Sequence, residues 1–134
     1  ASPAYAQKYN LKPRAKIVVC ATAAGSPEYN LNEPVPSACK ALDNAGLTVD
    51  DIDLFEVNEA FAVVPLRFMK LMGVSHDKLN VNGGAIALGH PIGATGAILL
   101  GTLLDELERR ELQRGLVTLC AAGGQAPSMI VERL

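Results

Sequence analysis

The 134 residues carry 49% hydrophobic and 19% charged side chains, ample for one domain with a core of ordinary size. A formal net charge of −2 and a pI near 5.6 give no electrostatic footprint for nucleic acid or an anionic membrane surface. Cys20, Cys39 and Cys120 form an odd, widely spaced set without a C-x-x-C pair, which argues for reduced, small buried thiols in a cytoplasmic compartment and against a disulfide framework or a metal site.

Residues 1–14 are polar and helix-tolerant, a leading segment ahead of a domain over 15–134. Lys16 to Thr22 is a short apolar run rich in β-branched residues with Gly25, Ser26 and Pro27 behind it, the pattern of a strand buried on both faces. P-V-P-S at Pro34 to Ser37 opens a helix to about Ala45, with Gly46 at the stop position. After an Asp-rich turn, Leu54 to Val57 is the second strand and delivers Asn58 to its carboxyl end, the edge where open parallel sheets place ligands. Ala60 to Met72 spaces Phe61, Val64, Phe68 and Leu71 three or four apart, which predicts a mostly buried helix with a kink or break at Pro65.

Leu79 to Asn82 reads as a third strand. Gly93 to about Arg110 reads as a third helix, uncharged and buried in its first half and solvated in its D-E-L-E-R-R second half. Leu116 to Cys120 and Ser128 to Glu132 are two further strands, joined by a segment long enough for a hairpin and too short for a parallel crossover. The order β-α-β-α-β-α-β-β is that of a doubly wound α/β fold with a five-stranded mixed sheet and its last strand antiparallel. The uncharged stretch from Asn80 to Leu104 is no membrane span, because Asn80, Asn82, His90, Pro91 and several glycines break it. Neither a signal peptide nor the S-K-L peroxisomal address is present in the pattern.

The run that organises the chain is N-V-N-G-G-A-I-A-L-G-H-P-I-G-A-T-G from Asn80 to Gly96. Glycines this dense carry an entropic cost, so something must approach that backbone closely. The turn feeds a helix N-terminus, whose free N–H groups and positive dipole end suit an oxyanion or a phosphate. Gly84 to Gly89 has the glycine spacing of the phosphate-binding P-loop, but His90 and Pro91 stand where its lysine and hydroxyl belong. The run resembles instead the N-x-G-G-A-I-A-x-G-H-P-x-G-A-[ST]-G signature of the thiolases, the acetyl-CoA acetyltransferases and 3-ketoacyl-CoA thiolases. N-E-A-F-A from Asn58 resembles the family's second motif. Cys120, followed by A-A-G-G-Q, occupies the position of the third, usually C-x-G-G-G.

The resemblance implies a C-terminal catalytic domain, with residues 1–14 the tail of a preceding helix or a linker. It covers nearly all of this chain and about half of a thiolase; the nucleophilic cysteine and most of the CoA-binding loops belong to an N-terminal half that nothing here matches. By the same resemblance His90 activates that cysteine and then donates to the thioester carbonyl oxygen, Asn58 holds a water that shares an oxyanion hole with it, and Cys120 moves the α-proton of acetyl-CoA. Glu59 supports the hydrogen-bond network, and Phe61, Ala122 and Gly123 contact substrate. Ala122 stands where glycine is usual, which keeps an N–H donor and restricts φ.

Read from the residues alone, His90 fits a structural histidine, Asn58 fits an N-cap for the helix that follows, and Cys120 fits a small core hydrophobe; His76 belongs to a polar surface loop. The implied reaction is acyl transfer between an enzyme cysteine and CoA or acetyl-CoA, by thiolysis of 3-ketoacyl-CoA or by condensation, with coenzyme A as substrate, no cofactor, no metal and a homo-oligomeric full enzyme. A decarboxylating ketoacyl synthase would use histidine where Cys120 stands. The remaining alternative is a non-catalytic domain that binds acyl-CoA or a partner chain.

Overall fold

The computed structural model describes residues 1–134. Helix α1 (Pro3–Lys8) leads into strand β1 (Ala15–Ala24), helix α2 (Pro34–Ala45), strand β2 (Leu54–Val57), helix α3 (Val63–Met72), a one-turn helix α4 (Ala85–Leu88), helix α5 (Thr95–Arg109), and strands β3 (Arg114–Thr118) and β4 (Gln125–Arg133). The sheet order is β1-β4-β3-β2. Strands β2 and β3 are parallel, while β4 runs antiparallel to both its neighbours. Helices cover both faces. Alternation along the strands sends Ala21, Phe55, Val57, Leu116 and Ile130 toward α2 and α3, and Leu54, Val117 and Val131 toward Leu99, Leu103 and Leu107 of α5. This is the expected doubly wound architecture with its last strand antiparallel, built on four strands rather than five.

The fifth expected strand is replaced by a side-chain device. Only Leu79 bridges to Phe55, and the Asn80 N–H donates to the Phe55 carbonyl at 2.9 Å. Asn80 then turns into the left-handed region at φ 48°, which asparagine tolerates. Its side chain continues the ladder: Oδ1 accepts from the Val57 N–H and Nδ2 donates to the Val57 carbonyl, each at 2.8 Å. Asn80→Ala would leave both buried backbone groups of Val57 unpaired, a cost of about 2–4 kcal/mol. Chemical denaturation should show that loss, and Asn80→Asp, which sets a carboxylate oxygen against the Val57 carbonyl and the Glu59 carboxylate in place of Nδ2, should lose at least as much. A midpoint unchanged in Asn80→Ala would show that water substitutes freely at this edge.

Three other expectations are corrected. Strand β1 is an edge strand, not one buried on both faces: Ile17 is 60% exposed, and Cys20 and, on α2, Cys39 are exposed rather than buried. The helix expected from Ala60 begins at Val63, so Pro65 sits in its first turn, where the missing N–H breaks no intrahelical bond and causes no kink. In α5 the first half exposes Ala97 and Ile98 while the second half buries Glu106. Glu106 is clasped by Arg109, Arg110 and Asn82, which hold its carboxyl down to about 2, the Arg109 contact contributing most. No helix is long and apolar enough to cross a membrane.

Candidate active site

Parallel pairing of β2 and β3 brings two candidate residues to one edge of the sheet. The Asn58 N–H donates to the Thr118 carbonyl at 3.0 Å, so Asn58 and Cys120 leave adjacent strands at their carboxyl ends. Asn58 is fully buried and is not a helix cap, since the N-cap of α3 is Ala62. Its Nδ2 lies 3.4 Å from His90 Nε2, and its Oδ1 is buried with no protein partner.

His90 stands between Gly89, which takes φ 94°, and Pro91, on an exposed turn ahead of α5. Thr95 determines the tautomer of its ring. The Thr95 hydroxyl donates its one proton to the Pro91 carbonyl at 3.0 Å, so the same oxygen must accept the 2.7 Å hydrogen bond from His90 Nδ1. The neutral imidazole therefore carries its proton on Nδ1 and presents an unprotonated Nε2, whose lone pair faces the Asn58 Nδ2 donor. Once protonated, Nε2–H and Asn58 Nδ2 become two donors that can share one oxygen between them, the geometry of an oxyanion hole. Sequence reasoning passed over Thr95; its signal was a threonine four residues after Pro91, where such a hydroxyl bonds back to the carbonyl.

Glu59 braces the glycine-rich turn. Its carboxylate accepts from Asn80 Nδ2 at 3.2 Å and from the Ile86 N–H at 3.1 Å, and a Cβ at Gly84 would collide with it. The glycine is thus required by a close approach, and the structural role expected for Glu59 agrees with these contacts. Glu56 was not singled out from the sequence. It is 3% exposed on the α5 face of β2, and burial, followed by the charges of Glu59 and Glu106, pushes its carboxyl up to about 8. Glu56, Asn58, Thr95 and Thr102 line a cavity of about 20 Å³ beneath the turn.

Cys120 is half-buried against the α2-side core, and that burial pushes its thiol above the ordinary range. Beyond it, Ala121 bridges to Gln125 around a turn in which Gly123 and Gly124 take φ 83° and 73°. A Cβ on Gly124 would meet the Ser26 carbonyl oxygen at 2.8 Å, whereas Ala122 has no positive φ and is exposed. Alanine at 122 therefore strains nothing, and its N–H is retained. Phe61 precedes α3 and is 63% exposed, so it is neither a core residue nor part of a helical stripe. No hydrogen bond links Cys120, Ala122 or Gly123 to the Asn58–His90 pair. An apolar groove of about 320 Å³ lies between α5 and the sheet, lined by residues such as Leu100, Leu119 and Met129; none of the six candidate residues lines it.

Comparison with known proteins accords with these features. The family described as "Thiolase, C-terminal domain" matches residues 11–133. The chain is 47% identical over 129 residues to the acetyl-CoA acetyltransferase of Allochromatium vinosum, covering 96% of this chain and 33% of that protein. It is 48% identical over 134 residues to the steroid 3-ketoacyl-CoA thiolase FadA6 of Mycobacterium tuberculosis, again spanning 33% of it. The crystal structure of the Bacillus anthracis acetyl-CoA acetyltransferase superposes with a TM-score of 0.95 at 38% identity, covering 99% of this chain and 34% of that one. The chain thus spans about a third of the length of the relatives it matches, and with its fold, its three motifs and the paired Asn58 and His90 it belongs to the thiolase family as a C-terminal domain.

Proposed function

We propose that this domain supplies the acid–base and oxyanion-stabilising half of an acyl-transfer site that works on CoA thioesters, by thiolysis of a 3-ketoacyl-CoA or by condensation of acetyl-CoA units, without a cofactor. The observation that carries the reading is the Asn58–His90 pair with Thr95 behind it. A neutral imidazole with an unprotonated Nε2 can take the proton of an attacking thiol, and afterwards offers Nε2–H beside Asn58 Nδ2 to the thioester oxygen. In this reading Cys120 handles the α-proton, the Ala122 and Gly123 turn contributes backbone N–H groups to the substrate, and Phe61 faces the acyl group. The names of the relatives, acetyl-CoA acetyltransferases and a 3-ketoacyl-CoA thiolase, support this substrate class.

The remaining component is a nucleophilic cysteine, which in this reading belongs to the other two thirds of a full-length protein. The uncovered apolar residues are consistent with such a partner: Ile86, Leu88, Ile92 and Ile98 are all exposed, Ile92 at 85%, around the turn that carries His90. Scattered exposed leucines need no explanation, but a cluster of this kind marks a contact surface. The expected result is CoA-dependent cleavage of acetoacetyl-CoA by the full-length protein and none by residues 1–134 alone, because positioning cannot replace the covalent step. Cleavage by the 134-residue chain would overturn the assignment of the nucleophile, and its absence from the full-length protein would overturn the reading.

A further inference from the structure

Asn58 follows the last residue of β2 and continues its pairing through the bond to the Thr118 carbonyl, so its side chain and that of Glu56, two residues before it, point to the same face. They share the cavity of about 20 Å³ with Thr95 and Thr102, and a space of roughly that size holds one water molecule. Glu56 makes no side-chain hydrogen bond and no ion pair: the charged groups nearest it, Glu59 and Glu106, are themselves carboxylates, and the cations Arg109 and Arg110 are bound to Glu106. An unpaired buried carboxyl is stable only as the neutral acid, which has an O–H to donate. Opposite it, Asn58 Oδ1 is a buried acceptor with no protein partner. Residues two apart on a strand are about 6.6 Å from each other along the backbone; no direct hydrogen bond joins the two groups, and one water between them could serve both.

We infer that Glu56 is a positioning residue for Asn58: its carboxylic O–H, through one water in the cavity, holds Asn58 Oδ1 and keeps Nδ2 turned toward His90. This rests on the acyl-transfer reading above. The water donates to Oδ1, accepts from Glu56 and has the Thr102 hydroxyl as a third partner. Released from it, the amide can turn over and present Oδ1 where negative charge develops, which weakens the transition state and leaves substrate binding alone.

The experiment compares Glu56→Gln and Glu56→Leu in the full-length protein, using cleavage of acetoacetyl-CoA. Glu56→Gln keeps a donor and should retain activity within about threefold, while Glu56→Leu should lower kcat about tenfold or more, short of the roughly 10²- to 10³-fold cost of losing a whole oxyanion donor, with KM unchanged. In an Asn58→Ala background the same Glu56→Leu change should cost nothing further, because its effect passes through Asn58. A wild-type kcat in Glu56→Leu, an equal loss in Glu56→Gln, or an additive loss in the Asn58→Ala background would each overturn the inference. Should the protein transfer no acyl group, hydrogen exchange of the Asn58 side-chain amide still decides: faster exchange in Glu56→Leu than in Glu56→Gln supports the coupling, and equal exchange overturns it.

Discussion

His90→Ala in the full-length protein is expected to abolish formation of the acyl-enzyme, and with it every later step. The physical reason is the lone pair at Nε2, which Thr95 exposes by accepting from Nδ1 at 2.7 Å while its own proton goes to Pro91. No other base adjoins Asn58 Nδ2: Glu59 is bound to Asn80 and the Ile86 N–H, and Glu56 is buried as an acid. Loss of a positioned acid–base group costs about 10²- to 10⁴-fold. Removing the imidazole from this turn costs its hydrogen bond to Thr95, about 1 kcal/mol, so unfolding cannot account for a fall of that size. Mass spectrometry of the protein after exposure to acetyl-CoA measures the acylated fraction directly. Acylation of His90→Ala at the unmutated rate would remove His90 from the activation step.

Much of the architecture was legible because local signals and tertiary packing agree. Helix α2 runs from Pro34 to Ala45 and ends at Gly46 in the left-handed conformation, as the proline and glycine positions require, and β2 occupies Leu54–Val57. The Asn58–His90 pair was legible too, through two motifs far apart in the chain. What escaped has particular causes. The third strand was overread because an asparagine side chain can imitate a strand, and no periodicity distinguishes Asn80 from a residue whose backbone continues the ladder. Strand β1 was overread because an apolar run says that a face is covered without saying by what; here Ile17 and Cys20 are exposed. Thr95 and Glu56 were missed because their roles depend on who donates to whom. A threonine in a helix and a glutamate in a strand carry no such information until the Pro91 carbonyl, the imidazole and the cavity are assembled around them.

Cys120→Ala should separate the second chemical role from the first. Cys120 contributes nothing to the Asn58–His90 pair, so the nucleophile should still be acylated by acetyl-CoA in this variant. What should disappear is exchange of the acetyl α-protons with solvent, together with condensation, each by about 10²-fold or more as for other positioned acid–base groups. The structure adds a pH dependence. Burial pushes the Cys120 thiol above its ordinary range, so the group is protonated at neutral pH and its thiolate grows as pH rises. As an acid it is ready at neutral pH; as a base it needs alkaline conditions or a neighbour that takes its proton. Exchange of α-protons catalysed by the thiolate should therefore increase with pH from neutral upward, while acylation, in which Cys120 takes no part, should not follow the same curve. Deuterium uptake into acetyl-CoA, read beside the acylated mass over the same pH series, tests both statements at once. If Cys120→Ala exchanges α-protons at the unmutated rate, Cys120 is a core thiol packed against α2, and the proton must be moved by another group.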